Sequence, residues 1–270
     1  MKNLISIIIL GLILFGCGPA EKKTKVTPSP FETDYHLYAG VLEKYVMGGT
    51  VDYGALKNDR TDLDDFVGQL AGLTLEEYDS MDGSGQLALW INAYNALILR
   101  TVIDAYPVAS IRDIEGALDD TRWEVAGKTM TLDIIRNDIM RYEFEDARAL
   151  LALTCASVDG PLLMSTPFKG ATIDDQLDSA AYAFVNDVDR NKINPHNNTV
   201  TACEIFSWYG EDFAVEYDTD DFDYLQLTDR AVLNFIFTFM DDSVTEFIDE
   251  EAEWTIEYRP FDWSLNDVKR

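Results

Sequence analysis

Reactive side chains are scarce in this chain, which holds three cysteines and two histidines. A cysteine with an imidazole in reach is the outline of a thiol nucleophile and its base. The same residue types joined by carboxylates could hold a metal. Cys155 lies in an apolar run, ALLALTCA over Ala149–Ala156, where a thiol without a base keeps an ordinary or raised pKa and stays inert. The partners on offer are His36, near the start of the folded part, and His196, in the turn-like NPHNN. The candidate catalytic pair is therefore Cys155 with His36, read second to an inert core thiol. Asn92, Asn95 and Asp262 are candidate binding residues, being polar groups in apolar settings that need partners. Neither a metal nor another cofactor is expected. Asp187-Val-Asp189-Arg-Asn191 begins like a calcium loop, but Lys192 stands where the loop needs glycine and Asn198 where it needs glutamate. No glycine-rich phosphate loop and no Gly-x-Ser-x-Gly occurs.

The elements that must position these residues centre on Gln86–Pro107, QLALWINAYNALILRTVIDAYP. Its apolar residues recur at helical steps, and Arg100 and Asp104 are its charges, so the helix is covered on most sides. Pro107 stops it. Asn92 and Asn95 interrupt it, and each either pins a loop against the helix or lines a site. Further helices are expected over Tyr35–Val46, Asp62–Leu73, Asp133–Arg141, Glu204–Phe213 and Thr228–Met240. Another opens at Thr172-Ile-Asp-Asp175 with a capping-box-like start. Hairpin chemistry marks Trp123–Leu132 and Asn191–Ala202, and Glu253–Tyr258 reads as a strand. Periodicity leaves Ala149–Ala156 open between helix and strand. The fold class is α+β: a single helix-rich domain, with a small sheet of short, mostly antiparallel strands around a central buried helix.

At the start, Lys2 precedes an apolar run from Leu4 to Phe15, shorter than the roughly 20 residues a spanning helix needs. Residues 1–16 read as a signal peptide ending at Cys17 in a lipobox-like order, with Phe15 larger than that position usually holds. Lipidation of Cys17 would anchor the chain to a membrane of the bacterial cell envelope. Residues 17–30 then form a Lys- and Pro-rich tether, of reach at most about 40 Å. Residues 31–270 form the domain. A formal charge of −28 argues against nucleic acid as a partner. Cys155 and Cys203 are expected to be free rather than bonded to each other.

Four motifs in order resemble one family. They are Val51-Asp52-Tyr53; Trp90-Ile-Asn92-Ala-Tyr94-Asn95 running to Tyr106-Pro107-Val108-Ala-Ser110-Ile111; Ile205-Phe206-Ser-Trp208-Tyr209-Gly-Glu-Asp212-Phe213; and Phe261-Asp262-Trp263-Ser264-Leu265-Asn266. Together they resemble the domain of unknown function 547 family, over essentially Tyr35 to Asn266. The resemblance implies a single domain, often on secreted or lipid-anchored bacterial proteins, and no established reaction. Against the family pattern, a Glu-His pair is replaced by Arg136-Asn137, a histidine by Leu150 and a second cysteine by Gly160. Leucine carries no proton and asparagine has no useful pKa, so a degenerate, non-catalytic binding domain is the leading expectation. The alternative is a thiol hydrolase or acyltransferase using Cys155, for which an inward-pointing Arg136 could lower the thiol pKa. The closing Asp262–Asn266 segment is expected to fold back on the central helix and support the two amides.

Overall fold

Burial along the chain follows the apolar pattern, and the computed structural model describes residues 35–248 and 252–268. The expected signal peptide, the expected tether and Cys17 lie outside these. Helix α1 (His36–Tyr45) leads into a tight hairpin, β1 (Val46–Met47) and β2 (Thr50–Val51). Helices α2 (Tyr53–Asn58), α3 (Thr61–Gly72) and α4 (Leu75–Asp79) follow, the last opened by a reciprocal capping box between Thr74 and Glu77.

Helix α5 (Gly83–Ala105) is the centre. Its N-cap, Asp82, accepts from the Gly85 N–H, and 17 of its 23 residues are buried. Arg100 and Asp104 emerge at its C-terminal end, where they pair with Asp64 and Arg60 of the α3 region. Tyr106 leaves the helix in an extended conformation, as the residue before a proline must. Among the described residues, no helix is long and apolar enough to cross a membrane.

Strands β3 (Trp123–Val125) and β4 (Lys128–Met130) form the expected hairpin, turning on Ala126 and Gly127, both at positive φ. Helix α6 (Leu132–Ile134), capped by Thr131, runs on as a π-helical stretch over Ile135–Phe144. The run whose state periodicity leaves open is one turn of helix, α7 (Ala147–Leu150), followed by an irregular loop. Helix α8 (Ile173–Val185) starts where expected, but Thr172 makes no cap bond; its hydroxyl goes to Gln176 Oε1 at 3.0 Å.

Strands β5 (Lys192–Asn194) and β6 (Thr199–Cys203) pair antiparallel, and β7 (Thr255–Arg259) adds to β6 in parallel. The single helix expected over Glu204–Phe213 breaks at Tyr209 into α9 (Ile205–Trp208) and α10 (Gly210–Tyr217). Glycine is needed at that break, because a Cβ on Gly210 would come within 2.9 Å of Thr228 Cβ at the start of α11 (Leu227–Phe239). A short α12 (Asp242–Thr245) completes the helices described.

The class is α+β as expected, although the strands form three separate small sheets rather than one. Two apolar clusters fill the interior. One surrounds α5, and the other gathers Phe184, Phe206, Phe213, Phe235 and Trp254. Tyr209 packs against both.

Candidate functional site

The loop that carries Cys155 has no regular backbone ladder, so its polar groups need other partners. Asn95 on α5 supplies the first pair. Its Nδ2 donates to Ala152 O at 2.9 Å, and its Oδ1 accepts from Thr154 N at 2.8 Å. Asn92, one turn earlier, does the same for Phe168, at 2.8 and 2.9 Å. Each amide thus substitutes for a peptide unit in the buried interior. Both amides are buried and pin loops, and neither lines the cavity around Cys155.

The closing segment holds the other end of the same loop. Val158 N donates to Ser264 O at 2.8 Å, Asn266 N to Ala156 O at 3.3 Å, and Ser157 bridges Leu265. Asn266 then reaches α2 and the first hairpin, its Oδ1 accepting from the Tyr53 hydroxyl at 2.7 Å and its Nδ2 donating to Gly49 O at 2.9 Å. The amides and the tail therefore support one another through the Cys155 loop rather than by bonding directly. Asp262 is exposed; its Oδ1 accepts from Ser264 N at 2.8 Å, and its own N–H donates to Asp159 at 2.6 Å.

Charge locks the loop from a third side. Buried Asp159 accepts from Arg259 Nη2 at 2.6 Å. Arg190 donates to Gly160 O at 3.2 Å and to Val158 O at 2.5 Å while pairing with Asp187. Between these clamps, Ala156 sits at φ 54°, a left-handed conformation that a residue with a side chain adopts only when its surroundings impose it. It fixes the direction in which its neighbour Cys155 points.

Cys155 lines a cavity of about 320 Å³ at the junction of the two apolar clusters. Tyr94, Arg136, Asn137, Leu150, Trp208, Tyr209 and Trp263 share the wall. The three departures from the family pattern at 136, 137 and 150 therefore converge on one space with the thiol. The fourth, Gly160, lies behind it: a Cβ there would sit 2.4 Å from Cys155 Sγ and 2.8 Å from Ser157 Oγ. The sulfur occupies the place a side chain at 160 would need.

Sγ and the Ser157 hydroxyl lie 2.8 Å apart. Burial pushes the Cys155 thiol above its ordinary range; Ser157 and the Arg136 guanidinium pull the other way without cancelling it. Arg136 does point toward this site, and it is not enough to make a thiolate. His36 is exposed on α1 and is not part of the cavity wall, and His196 is exposed in the β5–β6 turn. No carboxylate lines the wall either. Among the described residues, no group of three or more His, Cys, Asp or Glu side chains could hold a metal ion. Cys203, on β6, is a second free thiol, buried and pushed up to about 11 by that burial.

Sequence reasoning did not assemble the wall itself. Tyr94, Trp208, Tyr209 and Trp263 all stand inside the motifs on which the resemblance rests, which is the available signal, but nothing in their spacing shows that they meet. The aromatic side is continuous: Trp208 stacks on Trp263 with centroids 5.5 Å apart, and Phe261 packs against both.

No curated protein and no solved structure matches this chain. The early and late motifs fall outside the segment that a family comparison covers, yet they pack onto it, through Tyr53 stacked on Tyr106, through Asn266 N to Ala156 O, and through Trp208 and Trp263 in the cavity wall. That segment, residues 78–185, holds α5, the β3–β4 hairpin and the Cys155 loop, and it matches the family described as Protein of unknown function, DUF547.

Proposed function

We propose that the protein is a lipid-anchored component of a bacterial cell envelope whose domain binds a small ligand in the Cys155 cavity without transforming it. The observation that carries the site reading is the make-up of the wall: a thiol raised by burial, with no imidazole and no carboxylate among the lining residues to take its proton. A cavity of this size, mostly apolar with a few polar groups, suits a small molecule. The test is alkylation of the folded Cys203→Ser chain across pH 5 to 9, with Cys17 replaced as well. Slow labelling near neutrality, rising only beyond the ordinary cysteine range of about 8.5, is expected. Fast labelling at pH 6 would restore the thiol hydrolase or acyltransferase reading.

The anchor rests on the Lys2, apolar run, Cys17 order and on the lysine- and proline-rich stretch that follows. Cys17→Ala should shift the protein from the membrane fraction to the soluble envelope fraction. A variant that sediments with membranes as the parent does would place the anchor elsewhere.

A further inference from the structure

We propose that the Cys155 cavity selects ligands that carry a compact oxyanion, such as a carboxylate, sulfonate or phosphate ester, on an apolar body. This rests on the binding reading above and deepens it by naming the ligand class. The chain carries −28 overall, and its surface potential repels anions. The cavity wall is the opposite. Its one charged residue is Arg136, and no carboxylate lines it.

Asp133 takes Arg136 Nη2 and so orients the guanidinium, but Nε is sealed from water and has no acceptor. Asp133 balances one side of the guanidinium, and the Nε–H is left as a donor without an acceptor. Tyr94, Tyr209 and Cys155 all lie close enough to act on Arg136 electrostatically. Burial raises both phenols and the thiol, so each remains protonated and able to donate. Arg136 can only donate, the two phenols, the thiol and the Asn137 amide can donate or accept, and no carboxylate is present, so the wall can meet an oxyanion with several donors and offers a cation no counter-charge. Arg112, stacked 5.2 Å from the Trp263 ring centroid, adds a second positive charge beside the aromatic side. Leu118, Leu153, Pro161 and Ile205, with the two indoles, would cover the apolar body.

The experiment compares naphthoate with its neutral isostere naphthamide on the full chain, by calorimetry and by protection of Cys155 from alkylation in the Cys203→Ser background. Naphthoate should bind at least about tenfold more tightly, the factor one charge-assisted hydrogen bond supplies over a neutral one. Arg136→Gln should level the two affinities without weakening naphthamide, and Arg136→Lys should keep part of the preference. Equal affinities in the parent, with Cys155 protected by both probes, would overturn the anion selection and leave cavity binding standing. A preference that survives Arg136→Gln would also overturn it, because the charge would come from elsewhere. Failure of both probes to bind or to protect Cys155 would overturn the binding reading together with it.

Discussion

Replacing Asn95 with leucine should destabilise the protein by about 2–6 kcal/mol, since it strands two buried backbone groups at roughly 1–3 kcal/mol each. Those groups are Ala152 O and Thr154 N, which meet the amide in the interior beside α5. Leucine has the branch point and the side-chain heavy-atom count of asparagine, so no cavity is left and the loss is mainly one of hydrogen bonds. Urea denaturation is the measurement, with the midpoint falling and the slope unchanged. A second readout is local. The Cys155 loop should open below the global midpoint, so Cys155 should label at urea concentrations where the parent remains protected. Asn92→Leu should cost a similar amount through Phe168, on a neighbouring face of the helix. A change smaller than about 1 kcal/mol in both variants would mean that water or relaxation replaces the amides, and that the loop is not held from the helix.

Arg259→Met should cost about 3 kcal/mol. This is the low end of the range for breaking a buried ion pair, because Arg259 keeps 28% of its side chain in water whereas Asp159 keeps 6%. The arginine also donates to Arg190 O and Asp189 O, so the loss falls on the segment before β5 as well. The cost comes from a carboxylate left buried with only the Asp262 N–H for company. Asp159→Asn in the same chain should therefore recover part of the loss, since an amide oxygen still accepts from Asp262 N and carries no charge. A double mutant no more stable than Arg259→Met alone would show that the arginine acts by packing and not by pairing.

These two clamps explain which parts of the molecule were legible from sequence. Helix α5 was, because its apolar period runs on to Pro107 in spite of Asn92 and Asn95, and burial follows period directly. The β3–β4 hairpin was, because Ala126-Gly127 sits between two short alternating runs. The Ala149–Ala156 stretch was not, because its conformation comes from Asn95, Arg190 and the tail rather than from its own residues. Widening of the Ile135–Phe144 helix to π geometry likewise depends on its packing. So does the parallel pairing of β7 with β6, which joins Thr255 to Thr199 across an intervening helical segment.

The site was half legible. Cys155, Asn92, Asn95 and Asp262 were singled out by chemistry, yet the amides and Asp262 act on the backbone, and His36 is placed away from the thiol on an exposed helix face. The family departures at Arg136, Asn137, Leu150 and Gly160 pointed more accurately to the cavity, since all four surround one sulfur. Tyr94, Tyr209 and Trp263 could not be joined to them. They come from helix, helix break and tail, and only the tertiary fold brings those together.

The central claim is that Cys155 is a protonated thiol in a ligand cavity and not a nucleophile. Its most direct test is the ultraviolet absorbance of thiolate, recorded as the difference between Cys203→Ser and the Cys155→Ser/Cys203→Ser chain from pH 5 to 10, so that Cys17 and the tyrosines cancel. The account predicts no thiolate step until the pH exceeds the ordinary cysteine range of about 8.5, because burial outweighs Ser157 and Arg136. A full thiolate step below pH 7 would contradict it and make Cys155 an activated nucleophile.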